Sequence, residues 1–145
     1  MAEYRWLKNY DPGVPHTLEP YPQKTLIDYV DESAKEHPDY PMLLFKKRKM
    51  SYAEIQKLSD EFAAALVARG VKKGDRVALI MPNCPQAIIC RWGTWKAGGI
   101  LVHLNPTYTE GELEHALKDW GAETVVVLSM FYKQMKKIQP RTSVK

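Results

Sequence analysis

Asn105 to Leu128 read Asn-Pro-Thr-Tyr-Thr-Glu-Gly-Glu-Leu-Glu-His-Ala-Leu-Lys-Asp-Trp-Gly-Ala-Glu-Thr-Val-Val-Val-Leu. Asn105-Pro106 stops a strand, because proline cannot continue a ladder of backbone donors. Thr109 and Glu112 have the spacing of a capping box, and Leu113, Ala116, Leu117 and Trp120 fall on one helical face. Gly121 supplies the left-handed exit, and Thr124 to Leu128 is a run of apolar, largely β-branched residues that predicts a buried strand.

Upstream the same unit repeats. Val77-Ala78-Leu79-Ile80-Met81 is a continuous apolar run stopped by Pro82, and Ile100 to Leu104 is a second strand. Between them Pro85 sits in a first helical turn, and a helix from Gln86 to Ala97 ends at Gly98-Gly99. Strand, helix, strand, helix, strand predicts an α/β fold, a parallel βαβαβ layered sheet with right-handed crossovers and flanking helices. Phe131, Met135 and Ile138 place one more amphipathic helix before Pro140.

Toward the amino terminus, Ser51 and Glu54 form a second capping-box pattern, Ile55, Leu58, Phe62, Ala65 and Leu66 recur at helical spacing, and Gly70 ends that helix. Leu43 to Phe45 and Lys49 to Tyr52 flank the basic run Lys46-Lys47-Arg48-Lys49, which predicts a short β-hairpin with a charged tip. Thr25 with Asp28 opens a helix whose stripe is Leu26, Ile27, Val30 and Ala34, closed by Pro38. Residues 1–24 carry Pro12, Gly13, Pro15, Pro20 and Pro22 among aromatics. That pattern predicts no helix and an extended arm lying over a neighbouring surface. The division expected is therefore an arm over 1–24 and a partial α/β subdomain over 25–145.

Composition narrows the classes. The 145 residues are 45% hydrophobic and 26% charged, the profile of a globular protein. The net charge of +4, from 21 basic and 17 acidic residues, is spread along the chain and calls for no nucleic acid partner. No apolar run reaches the roughly 18 to 20 residues of a transmembrane segment, and the opening residues lack a secretory core, so the expected location is cytoplasmic. Cys84 and Cys90 stand six apart on a predicted helix, on different faces, and read as two buried thiols without disulfide or metal.

Three parallel strands leave two open edges, yet the third is too apolar for an edge, so the sheet is expected to be incomplete. The alternative is a small three-stranded sheet closed by its own helices and by dimerisation.

Several stretches together resemble the amino-terminal part of the acyl-adenylate-forming, AMP-binding enzymes, and within them the long-chain fatty acyl-CoA synthetases. They are Trp6-Leu7-Lys8-Asn9-Tyr10 with Gly13-Val14-Pro15, Ser51-Tyr52-Ala53-Glu54, and Gly70 through Ala78. Met81-Pro82-Asn83-Cys84-Pro85-Gln86, Lys96-Ala97-Gly98-Gly99-Ile100 and the block from Asn105 to Asp119 continue the order. The chain departs from the usual pattern at Trp92-Gly93-Thr94-Trp95 and at Trp120.

The resemblance implies an ATP-dependent ligase that forms an acyl-adenylate from a long-chain fatty acid and then a thioester with coenzyme A. It implies ATP, Mg²⁺ and coenzyme A as cofactors of the full-length enzyme, with the nucleotide-binding and carboxy-terminal parts of the ligase as partners. The Ser/Thr/Gly-rich loop with its Lys, the Thr and Glu of the adenine and Mg²⁺ segment, the ribose-binding Asp and the carboxy-terminal Lys of that family have no counterpart here. The expectation is an inactive amino-terminal portion of a larger adenylate-forming domain, with no cofactor bound to this chain and no residue assigned a catalytic, cofactor-binding or metal role. A different class, a standalone non-catalytic α/β module that uses its arm for homodimerisation or partner binding, shares the fold. A receiver or nucleotide-binding flavodoxin-like domain fails, since Met-Pro-Asn ends the first strand with no acidic cluster or glycine phosphate loop.

Ligands in open α/β sheets gather at the carboxyl ends of the strands, here Met81 to Asn83, His103 to Pro106, and Ser129. His103 has no Cys, Asp or Glu at ligand spacing and reads as a core or edge histidine, and His115 as a surface one. Asn83 and Asn105 suit a helix start or a turn. Glu110, Glu112 and Glu114 occupy the first turns of a helix, where its dipole favours them, and do not read as a catalytic pair. Lys46 to Lys49 read as a solvated tip, with coenzyme A phosphates or anionic lipid as the alternative. Trp92 and Trp95 share a helical face and read as packing, with an acyl-tunnel wall as the alternative.

Overall fold

The computed structural model describes residues 4–145. Its elements run α1 (Leu26–Glu36), β1 (Pro41–Phe45), β2 (Arg48–Ser51), α2 (Tyr52–Ala68), β3 (Arg76–Ile80) and α3 (Pro85–Lys96). They continue with β4 (Ile100–Leu104), α4 (Glu110–Trp120), β5 (Thr124–Val127) and α5 (Tyr132–Ile138). β1 and β2 form an antiparallel hairpin; β4, β3 and β5 form a parallel sheet in that order. The predicted α/β class and the βαβαβ sheet with a hairpin are what the structure shows.

β3 organises the unit. Val77, Ala78 and Leu79 are 0% exposed and Ile80 1%. Successive side chains alternate between the two faces, so the strand needs cover on both. Ala78 and Ile80 pack with Leu113 and Leu117 of α4 and Met135 and Ile138 of α5. On the other face Leu79 clusters with Ala87 and Cys90 of α3, and Val77 with Leu66 of α2. The crossovers through α3 and α4 thus lie on opposite faces, which two right-handed connections leaving in opposite directions require.

The helix ends follow their caps, with one exception. Thr25 with Asp28 and Thr109 with Glu112 form complete capping boxes, and Gly121 ends α4 in the left-handed conformation at φ 59°. Ser51 accepts from the Glu54 N–H at 3.2 Å, but the carboxylate of Glu54 does not return to the backbone. It pairs instead with the Arg48 guanidinium at the hairpin end.

Five other expectations are corrected. The hairpin turn is Lys46-Lys47 alone, with Lys46 at φ 55°, and Arg48 and Lys49 belong to the strand. The buried residues of α2 are Ile55, Ser59, Ala63 and Leu66, whereas Ala65 is exposed. Trp120 points along the apolar stripe of α4 yet is 50% exposed, because none of the described residues covers that end of the helix. Cys84 is half-buried rather than buried. In the proline-rich stretch, Arg5–Asn9 forms a short 3-10 helix ahead of the first proline; residues 1–3 of that stretch lie outside the described residues.

The α2 correction has a packing cause. A Cβ on Gly93 would lie 2.7 Å from both the Phe62 ring and the Ser59 carbonyl oxygen, so α3 is seated directly against the α2 backbone. Small residues at Ser59 and Ala63 permit that approach, and Ser59 satisfies its buried hydroxyl by donating to the Ile55 carbonyl at 2.7 Å. Lys96, at the end of α3, reaches Asp60 of α2 at 2.7 Å and Asp31 of α1 at 3.7 Å. Gly93→Ala is expected to lower stability by about 1–3 kcal/mol through overpacking, read from the urea unfolding midpoint; an unchanged midpoint would disprove the close approach.

Candidate functional site

Strand order fixes where a site can form. The chain leaves β3 toward β4 on one side, while β5 leads into α5 on the face of α4, so the connections diverge between the carboxyl ends of β3 and β5. That divergence is the switch point at which open α/β sheets hold ligands. Met81-Pro82-Asn83 forms one lip and Leu128-Ser129-Met130 the other. The Leu128 N–H donates to the Ile80 carbonyl at 3.2 Å, holding the two strand ends together. The loop after β4 stands beside them, tied to α5 by Gln134, whose side-chain amide donates to the Tyr108 carbonyl at 2.8 Å.

The chemistry of this edge is neutral. Residues 81–84, 105–109 and 128–131 include no Asp, Glu, Lys, Arg or His. Of the two helix N-termini at this edge, the kind that commonly cradle phosphate in such folds, that of α4 is closed and that of α3 has lost one donor. At α3 the cap is Cys84, with no side-chain cap bond, and Pro85 at the first helical position has no N–H to offer. At α4 the Glu112 carboxylate occupies the terminus, accepting from the Thr109 N–H and hydroxyl, both at 2.8 Å. Among the described residues no group of three or more His, Cys, Asp or Glu side chains comes together. The edge offers apolar contact, amides and hydroxyls.

The sequence-level candidates fall as follows. Asn105 is a turn residue, its side-chain oxygen accepting from the Thr107 N–H at 3.0 Å and hydroxyl at 2.9 Å. Asn83 does not cap α3; Cys84 holds that position and Asn83 is exposed at the lip. His103 lies on the exposed edge strand β4, its Nε2 3.4 Å from the Arg91 guanidinium. Partial burial, then the Arg91 charge, pushes its pKa below the usual imidazole value. His115 is exposed on α4.

The three glutamates of α4 are structural. Glu110 pairs with Lys137 of α5 at 2.8 Å, and Glu114 with Lys118 and Arg141, each at 2.7 Å. Trp92 and Trp95 meet edge to face at 5.1 Å, both half-buried. The Trp92 indole N–H is buried with no partner among the described residues. Burial pushes the Cys90 thiol up to about 11, with the neighbouring Cys84 adding to the shift, so Cys90 is a packed thiol rather than a nucleophile.

Sequence reasoning located the strand ends but not the pairing of the β3 and β5 lips, which depends on strand order. It also missed a groove of about 650 Å³ at the opposite end of the sheet, between Arg69 to Val71 and Glu123 to Val126. The β-branched, apolar run of β5, read as too apolar for an edge, was its one signal.

A parallel sheet covered by helices on both faces, with its connections diverging at a switch point, is the class that the fold defines. The family model of the AMP-binding enzymes matches residues 30–145. The chain is 39% identical over 139 residues to a long-chain-fatty-acid–CoA ligase of Bacillus subtilis, covering 96% of this chain and 25% of that protein. Its identity with the Escherichia coli ligase of the same name is 38% over 140 residues, with the same coverage. The crystal structure of a long-chain-fatty-acid–CoA ligase from Archaeoglobus fulgidus superposes with a TM-score of 0.81 at 29% identity, over 93% of this chain and 28% of that one. The chain belongs to the AMP-binding enzyme family and matches the amino-terminal region of its long-chain fatty acid ligases. It spans about a quarter of the length of the curated relatives it matches.

The α4 cap carries a pH signature. Hydrogen bonds from the Thr109 backbone and hydroxyl hold the Glu112 carboxyl below its ordinary 4.5. A depressed folded-state pKa contributes stability above the unfolded pKa and loses it as pH falls through the folded one. The melting temperature is expected to fall as pH drops below about 4.5, and Glu112→Gln to flatten that slope. Identical slopes in thermal melts of the two proteins would remove the cap from the explanation.

Proposed function

We propose that this chain forms the amino-terminal part of an ATP-dependent long-chain fatty acid:CoA ligase and supplies a wall and frame for its site rather than its reacting groups. The observation that carries the reading is the alignment with long-chain fatty acid ligases over 96% of the chain. The neutral switch-point edge supports it. Adenylation needs cationic and metal stabilisation of charge on the phosphoryl group. The donor set here does not fit Mg²⁺ and ATP, because the lips carry no carboxylate and no cation and a carboxylate occupies the α4 N-terminus. In the whole ligase the lips therefore exclude water and hold position by amide and hydroxyl contacts, and other segments do the chemistry. The purified 145-residue polypeptide is expected to give no fatty-acid-dependent ATP–pyrophosphate exchange; measurable exchange would overturn this assignment.

One feature favours self-association alongside that reading. Tyr4, Trp6, Tyr10, Leu18 and Tyr21 of the arm are all exposed, and so many large apolar side chains on one short segment mark a contact surface. The arm over 1–24 docks on a second copy or on the remainder of the ligase, while 25–145 forms the α/β subdomain. Sedimentation of the chain with and without residues 1–24 is expected to show a mass shift from dimer to monomer. Equal masses would leave the arm without a role in self-association.

A further inference from the structure

The β1–β2 hairpin combines two features that its role as a brace for α2 does not require. Antiparallel partners share a face, so Leu43 and Met50 point inward, where Met50 is buried, and Leu44 and Lys49 point outward. Leu44 is 72% exposed and Phe45, next to the turn, is 38% exposed. Around them stand Lys46 and Lys47 in the turn and Lys49 across the ladder, all exposed. Arg48 is neutralised by Glu54, whereas Lys46, Lys47 and Lys49 have no carboxylate partner among the described residues. The Lys46 ammonium lies 5.7 Å from the centre of the Phe45 ring.

We propose that this hairpin tip is a docking surface for an anionic lipid bilayer. A solvated turn accounts for the lysines but not for a leucine held outward among them. A soluble polyphosphate would use the charges and gain nothing from Leu44. It would also want a concave seat with converging donors, whereas this tip is convex and borders neither of the grooves between α1 and α2 or beside β5. A headgroup region matches both features: phosphates take the three ammonium groups while Leu44, on the outward face with Lys49, enters the acyl boundary. The proposal does not rest on the assignment to the ligases, so its failure would leave that assignment intact.

The test uses the full 145-residue chain with phosphatidylcholine vesicles, with and without about one-third phosphatidylglycerol, read by co-sedimentation. Binding is expected on the anionic vesicles only and to weaken with salt. Each basic residue near such a surface is worth about five-fold in affinity, so the Lys46→Gln, Lys47→Gln, Lys49→Gln triple variant should bind roughly 100-fold more weakly. Leu44→Ser should cost roughly ten-fold with little change in salt dependence. Lys35→Gln, Lys57→Gln, Lys133→Gln, which removes equal charge elsewhere, should stay within about three-fold of the parent. Hydrogen exchange on the unaltered chain supplies a readout free of mutation, with vesicle-dependent protection expected at residues 41–51. Equal binding to both vesicle types, equal loss in the two triple variants, protection confined to another segment, or hairpin protection by inorganic triphosphate at comparable affinity would each overturn the proposal.

Discussion

Everything else in this chain answers to the burial of β3 on both of its faces. A strand with four consecutive side chains out of water cannot lie on a surface, and each Val, Leu or Ile so placed contributes roughly 1.5–3 kcal/mol only while its cover stays in position. Cover on one face comes from α2 and α3, on the other from α4 and α5. Once helices must lie on opposite faces, right-handed crossovers send β4 to one side of β3 and β5 to the other, and the switch point follows. The position of the switch point is thus a consequence of which five residues, Val77 to Met81, are apolar.

The two flanking strands are not equivalent. β4 tolerates solvent: Ile100 and His103 are exposed on it, and His103 finds Arg91 as a neighbour. β5 tolerates it poorly, since Val125 and Val127 face one core cluster, Val126 the other two, and all three are half-covered. A β-branched strand left half-covered on both faces is an edge that invites pairing. The groove beside Gly70 and Thr124 runs along that strand, and Trp120 stands uncovered at the adjoining end of α4. The physical asymmetry lies with β5, where further protein would gain the most by packing.

What the sequence made legible was local. Capping at Thr25 and Thr109, the stops at Pro82 and Pro106, and the apolar runs of the strands each depend on residues a few positions apart, and the structure keeps them. What it hid was set by distant neighbours. Ser59 and Ala63 look indifferent in a helical wheel until Gly93 of α3 is seated on them. Glu54 has the spacing of a capping partner until Arg48 arrives across the hairpin. The site shows the same division: the strand ends were readable one at a time, whereas the opposition of Asn83 and Ser129 required the order β4-β3-β5.

The neutrality of the carboxyl edge is built in by residues that serve the fold first. Pro85 gives α3 a preset first turn and deletes a donor that a phosphate would use; Glu112 completes the cap of α4 and places a carboxylate where an anion would sit. An anion approaching this edge meets a missing hydrogen bond at one helix and a like charge at the other. The same edge suits an apolar or amide-bearing group, since Met81 and Leu128 line it and Asn83 is exposed at its lip. In the ligase proposed above, a frame of this kind orients a substrate without competing for its phosphates, and the charged part of adenylation falls to side chains brought in from elsewhere.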